Sequence, residues 1–397
     1  MKKPSKKWTI YVIHHSHTDI GYTDAQEEME FHHVQFIRQV LDILRQGDQG
    51  RKEWSGFKWN CESAWCVERF LEAAAPQEKE CFFKYVKEGR IGVSGSYLNL
   101  TELVSGRVLG QNLQKIKKIM GENGVQIRSA MTADINGYSW GFSDALLDAG
   151  VENLLCCLHT HHGYHPTFQK QNPFWWTAPS GRKLLVWNGE HYLLGNELGL
   201  AQESEFQYTI QDGMPEMQDR FHKAELRLYS YVKTMEEQNY PYDFVPVTVS
   251  GMMTDNSPPS VKVIRFLHEF NEKHRAEIQL KMVTLQEFFD EAKGRLGDIP
   301  TYSGDWTDWW ADGVGSTPNI VAHYREASRL YDMVCALDPD CKIVTQEERE
   351  AISYNLIFYA EHTWGLFFLH HGAVAPQREL SGLAQGPVCP KSQRACP

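Results

Sequence analysis

Residues 8–23 read WTIYVIHHSHTDIGYT, and the fold turns on how this stretch divides. Its opening run, WTIYVI, is apolar but for Thr9 and rich in β-branched and aromatic residues, too short for a helix and suited to a buried strand. Strands of that kind belong to parallel sheets covered by helices, which points to an α/β architecture. The polar remainder carries His17 and Asp19 two positions apart. In extended backbone such side chains project to the same side, so an imidazole and a carboxylate converge just past the strand's carboxyl end. One nitrogen and one oxygen donor suit a borderline divalent ion such as zinc, which takes about four N, O or S ligands. Two more ligands must then come from elsewhere. The alternative is a surface loop whose histidines, His14 and His15 included, hold nothing.

Outward from this stretch the alternation continues. Apolar runs at 8–13, 57–61, 91–95, 128–133, 153–158, 183–187, 244–249 and 278–283 read as buried strands separated by helical patterns, as in a parallel α/β sheet or barrel. From Asp24 to Gln46 the apolar residues Phe36, Val40, Ile43 and Leu44 recur at helical spacing, and Gly47 reads as the stop. Thr284 and Glu287 have capping-box spacing at the start of a helix over 285–294. After Asp305 strands give way to helical stretches at 317–337 and 345 to about 362. The expected division is a (β/α) barrel over 1–304, part of a helical middle domain over 305–366, and a disordered tail over 367–397. That tail is rich in Pro, Gly, Ala and Ser and has no apolar period.

Composition narrows the function classes. With 397 residues, 42% of them hydrophobic, the chain can bury a sizeable core. A net charge of -11 argues against a protein that grips nucleic acid by its phosphates, and Lys2, Lys3, Lys6 and Lys7 read as a solvated terminus. The run at 8–13 is shorter than a signal-peptide core, and no window approaches the roughly 18–20 apolar residues of a membrane span. No membrane partner is expected, and a cytoplasmic location is the default. The cysteines number nine, with no Cys-x-x-Cys pair, so neither a disulfide framework nor a thiolate zinc site is expected.

Parallel α/β folds gather functional residues where strands end at their carboxyl side. His17 and Asp19 follow the first strand, Glu62 the second, Asn99 to Glu102 the third and Asp134 the fourth. Asp255 comes six residues after the run at 244–249. A second histidine group, His159, His161, His162 and His165 in CLHTHHGYHP, follows another strand end. It lacks a carboxylate companion and reads as lining a cleft.

Several longer motifs occur in one order: HSHTDIGYT (15–23), FKWNCESAWCVERF (57–70), GRIGVSGSYLNLTE (89–102), MTADINGYSWG (131–141) and TYSGDWTDWW (301–310). Together they resemble the catalytic region of glycoside hydrolase family 38, the retaining α-mannosidases, over about residues 11–365. The resemblance implies a (β/α)7-type parallel barrel, so one of the eight strand candidates would belong to an excursion. It implies a Zn2+ cofactor held by His17, Asp19 and Asp134, with His362 of YAEHTWG (359–365) as fourth ligand. It implies Asp134 as nucleophile, while Asp255 in VSGMMTDNSPP aligns with the acid/base in a loop that departs from the family's pattern.

A carbohydrate substrate needs an apolar platform, since the C–H faces of sugars stack on aromatic rings. Trp65, Tyr97, Tyr138, Trp306, Trp309 and Trp310 are the candidates, with Trp306 and Trp309 foremost, and Glu62 and Asp305 are polar substrate-binding candidates in the same motifs. The leading expectation is a zinc-dependent retaining hydrolase of α-linked sugars. A zinc-dependent carbohydrate deacetylase is the second reading, and a non-catalytic or vestigial carbohydrate-binding protein the third. The third reading arises because the sequence stops resembling the family from about Phe367, as though C-terminally truncated. On that expectation apolar faces of the last two helices stay uncovered and favour instability or association. The sequence leaves oligomeric state and linkage specificity open.

Overall fold

The computed structural model describes residues 3–21, 23–135, 137–157, 170–201, 207–210, 212–214, 217–306, 315 and 317–363. The elements begin β1 (Trp8–His15), α1 (Gln26–Asp48), β2 (Trp59–Cys61), α2 (Ala64–Ala73), α3 (Pro76–Lys87), β3 (Ile91–Val93), α4 (Gly106–Glu122), β4 (Ser129–Ala133), α5 (Trp140–Asp148) and β5 (Asn153–Cys157). There follow β6 (Asn172–Thr177), β7 (Lys183–Asn188), α6 (Leu194–Leu198), α7 (Arg220–Glu237), β8 (Phe244–Ser250), α8 (Val261–His274), β9 (Ile278–Met282), α9 (Leu285–Lys293) and β10 (Thr301–Ser303). The described chain closes with α10 (Pro318–Leu337) and α11 (Gln346–Tyr359).

β1 is the central strand, and every residue but Thr9 is buried. β8 runs along one of its edges from Thr9 to His15, while β9 takes the other edge over Trp8 to Val12 and β2 meets it at His15. With β3 beyond β2 these make one five-stranded sheet, and a second has the order β10-β6-β7-β5-β4. Among the described strands only β6 and β7 pair antiparallel. The expected single ring is therefore not one continuous ladder: the backbone bonds form two sheets. Their edges meet where Gly95 N–H donates to Ser129 O at 2.9 Å. The Ser94 hydroxyl also donates to Met131 O at 3.2 Å. A side chain at Gly95 would lie 2.4 Å from Val151 Cγ2, so only glycine lets the edges approach.

The helices cover the sheets as the apolar spacing requires. α1 buries Met29, Val34, Phe36, Ile37, Val40, Leu41 and Leu44, each worth roughly 1.5–3 kcal/mol over exposure. It does not stop at Gly47 but continues to Asp48, whose carboxylate takes hydrogen bonds from Arg90 and Tyr85. The helix of the capping box runs 285–293, with both reciprocal bonds of Thr284 and Glu287 formed. β6 and β10 fall outside the expected strands. α10 and α11 occupy the two late helical stretches and share the main hydrophobic core through Tyr324, Tyr331, Leu356, Ile357 and Ala360. α11 is tied to α2 by Trp65 Nε1–H donating to Tyr354, and to α4 by Asn112 donating to Ser353. No described helix is long and apolar enough to cross a membrane. Cys61, Cys66, Cys81, Cys156, Cys157, Cys335 and Cys341 are free thiols, while Cys389 and Cys396 lie outside the described residues.

Candidate metal centre

His17, Asp19, Asp134 and His362 are all buried and bring one ligand atom each to within 4.8 Å of one another. Past β1 the end of β8 and the loop after it hold the chain: Ser250 Oγ accepts from His17 N–H at 2.9 Å, and Asn256 Oδ1 accepts from Asp19 N–H at 3.1 Å. Asp134 follows β4 with φ 69°, a left-handed value tolerated by Asp better than by most residues. Ile135 N–H bonds back to Ala133 O at 2.9 Å, making a tight three-residue turn that aims the carboxylate into the cluster. His362 arrives just after α11, where Leu100 and Glu361 form a backbone bridge.

The separations test whether an ion fits. His17 Nε2 lies 3.2 Å from Asp19 Oδ1 and 3.9 Å from Asp134 Oδ2. His362 Nε2 lies 3.3 Å and 3.4 Å from the same two oxygens. Tetrahedral ligands about 2.0–2.2 Å from zinc stand about 3.3–3.6 Å apart, so these atoms already sit near the right spacing. His17 Nε2 is buried and makes no hydrogen bond of its own.

Each imidazole is backed by a carboxylate. Glu62 Oε1 faces His17 Nδ1 at 3.0 Å, and Glu361 Oε1 faces His362 Nδ1 at 2.6 Å. Such partners fix the ring and its tautomer, leaving Nε2 for a metal. Burial opposes protonation of His17, yet Glu62 and then Asp19 outweigh it and hold its pKa well above the usual range. Burial likewise opposes protonation of His362, and Glu361, Asp134 and Asp19 overcome it. Glu62 and Asp19 remain well below the carboxylate range despite burial, chiefly because of His17. Carboxylates gathered in a buried space call for positive charge, and a divalent cation meets that demand.

Asp255 stands beside this cluster, half-buried with Oδ1 enclosed. Burial, then the charges of Asp19 and Asp134, push its pKa up to about 7, against the opposing pull of His17 and a hydrogen bond from Tyr192. The Tyr192 ring stacks on His17 with centroids 4.2 Å apart. Asn256 fixes the loop by donating to Asp19 O at 3.0 Å and accepting at Oδ1 from Asp19 N–H.

Other expected residues fall elsewhere. His14 is engaged at Val249 O and Ser260 N, and His15 pairs with Glu62 at 2.7 Å, so neither joins the cluster. Glu62 is buried against histidines and not open to a sugar. Trp65, Tyr97, Tyr138 and Trp306 are buried core rings, and a ring without an exposed face offers no platform: Trp65 packs on Phe358, Tyr97 bonds Glu68, and Tyr138 and Trp306 pack edge to face. Asp305 is exposed and accepts from Trp140 N–H at the start of α5. Trp309, Trp310 and the histidines at 159–165 lie outside the described residues. Sequence reasoning missed Tyr192, Asn256 and Glu361. The strand-end rule would have reached Tyr192 after β7, and the other two are chain neighbours of Asp255 and His362.

The family model described as glycosyl hydrolases family 38 N-terminal domain matches residues 7–305. No curated protein matches the chain. Among solved structures, an α-mannosidase from Enterococcus faecalis superimposes with a TM-score of 0.65 at 15% identity, over 90% of this chain and 39% of that one. Another family 38 protein from Enterococcus faecalis gives 0.58 at 12% identity, over 96% and 38%. A GH57-type branching enzyme from Pyrococcus horikoshii gives 0.51 at 14% identity, over 90% and 84%. At these identities the likeness is one of fold, and this chain spans less than half the length of the two Enterococcus faecalis proteins.

Proposed function

The chain belongs to glycosyl hydrolase family 38, and from that premise we propose that it is a zinc-dependent retaining glycosidase acting on α-linked sugars, with an α-mannoside as substrate. The observation that carries the reading is the buried cluster in which two imidazoles, each backed by a carboxylate, meet Asp19 and Asp134 at metal-ligand spacing. His17, Asp19, Asp134 and His362 would hold the ion, which supplies positive charge to sugar hydroxyls at the reacting ring. Asp134 attacks the anomeric carbon while Asp255 gives its proton to the departing glycosidic oxygen. Asp255, now a carboxylate, takes a proton from water as that water attacks the same carbon and releases Asp134, so configuration is retained. Tyr192, stacked on His17, borders Asp255 and bears on its proton. Mannose rests on the family and on the α-mannosidase named among its structural relatives.

The two sheets are read as arcs of one (β/α)7-type barrel, supported by the bonds of Ser94 and Gly95 across the β3 and β4 edges. Residues 1–304 form its catalytic domain on this reading, and 305–366 belong to a helical unit that delivers His362.

The test is release of aryl alcohol from aryl α-mannosides by the zinc-loaded chain. Asp134→Asn is expected to lower the rate by at least about 10³-fold. A zinc-loaded wild type that is inactive across a panel of α-glycosides would overturn the reading, and acetate release from an acetylated oligosaccharide would point to deacetylation instead.

A further inference from the structure

Asn99 touches the surroundings of three candidate ligands that arrive from separate parts of the chain. Its Nδ2 donates to Glu62 Oε1 at 2.7 Å, the same oxygen that faces His17 Nδ1. Its Oδ1 accepts from the backbone N–H of Ala133 at 3.0 Å, the residue before the tight turn at Asp134. Its carbonyl accepts from His362 N–H at 3.0 Å. The amide can point only one way, because a carboxylate oxygen only accepts and a backbone N–H only donates. Asn99 is buried, and its neutral amide neither gains nor loses charge as a cation enters or leaves.

We propose that Asn99 is the positioning residue that sets the mutual placement of His17, Asp134 and His362, and through it the metal affinity of the site. The inference rests on the metal-binding reading above and adds to it what holds the ligands in register. Without the amide, Glu62 could rotate away from His17, and the turn at Asp134 would lose its anchor to the β3 side. The carbonyl bond makes the loop after β3 the seat on which the segment after α11 docks, so the fourth ligand arrives where the other three are already fixed.

Two substitutions in the full chain separate the contacts. Asn99→Asp keeps the shape and the acceptor for Ala133 but turns an oxygen toward Glu62. Asn99→Ala removes both side-chain bonds and leaves the carbonyl to His362. Zinc affinity is measured by competition with a chromophoric chelator, and cobalt(II) substitution reports ligand geometry through its visible absorption bands. Both variants are expected to bind zinc roughly 10–100-fold more weakly than wild type and to shift the cobalt bands, with wild-type far-ultraviolet circular dichroism in the metal-free state. If Asn99→Ala does not fold, the isosteric Asn99→Asp carries the test. Variants that fold and bind zinc within about twofold of wild type, with unshifted cobalt bands, would overturn the inference and leave Asn99 as a structural residue of the loop. A wild type that takes up no zinc, or a His17→Ala variant that takes up as much, would instead sink the metal reading and this inference with it.

Discussion

Asp255 joins four influences on a single proton: an enclosed carboxyl, the nearby charges of Asp19 and Asp134, the opposing charge of His17, and the hydroxyl of Tyr192. With its pKa pushed up to about 7, it can hold the proton that an acid catalyst must give away and still ionise near neutrality to act as a base. The sign follows from the acid role. The protonated form predominates below the pKa, so kcat/KM on aryl α-mannosides with poor leaving groups should fall as pH rises through it. A bound cation stabilises the carboxylate, which places that limb at or below about pH 7. Asp255→Asn should flatten the limb and cost about 10²–10⁴-fold in rate, least for aryl leaving groups that need little protonation. A pH–rate profile of both proteins decides it, and an unchanged alkaline limb in the variant would assign the acid to another residue. At this scale His17 and Asp19 were legible because alternation in extended backbone is a local property. Glu62 was legible as a polar strand-end residue but not in its role, because only the folded chain sets it between His15 and His17.

The element that carries His362 depends on the turn between α10 and α11. The Asp338 carboxylate closes this turn, accepting from the N–H groups of Lys342, Ile343 and Val344 at 2.8, 3.0 and 2.9 Å and from Arg349 at 2.9 Å. Those backbone donors, Val344 foremost, lower its pKa to about 2. A depressed carboxylate stabilises the fold above its unfolded value and ceases to do so once protonated in the folded state. The contribution should therefore be intact above about pH 4 and vanish as pH falls toward about 2. Asp338→Asn should lower the melting temperature at neutral pH and flatten the acid dependence of stability in this window. Thermal melts of both proteins from neutral to acid pH read it, and parallel melting curves would refute the role. The capping box before α9 could be read from the sequence because its partners are three residues apart. The end of α1 could not. Glycine costs a helix roughly 0.5–1 kcal/mol, and Arg90 and Tyr85, distant in sequence, hold Asp48 beyond it.

Across the whole molecule the described surface keeps one uncovered apolar stripe. Leu330, Met333 and Leu337 recur along α10 with 47%, 44% and 80% of their surface exposed, and Ile343 beyond the helix is 83% exposed. Covering such side chains yields roughly 1.5–3 kcal/mol each, which favours association through this face. Leu330→Glu combined with Leu337→Glu should shift sedimentation of the chain toward monomer and leave zinc uptake unchanged, since the stripe lies apart from the four candidate ligands. Wild type that sediments as a monomer at high concentration would rule the association out. By itself the sequence determined the α/β class, the buried strand that leads into His17, the family, and the order in which His17, Asp19, Asp134 and His362 appear. All of these are written in local periodicity or in short motifs. The tertiary structure alone decided that the motif aromatics Trp65, Tyr97, Tyr138 and Trp306 are core and that the strands form two sheets. It alone brought Asn99 to Glu62 across 37 positions and Asn256 to Asp19 across 237. Spacing fixes the direction in which a side chain leaves its own element; burial and partnership depend on which distant segment comes back to meet it.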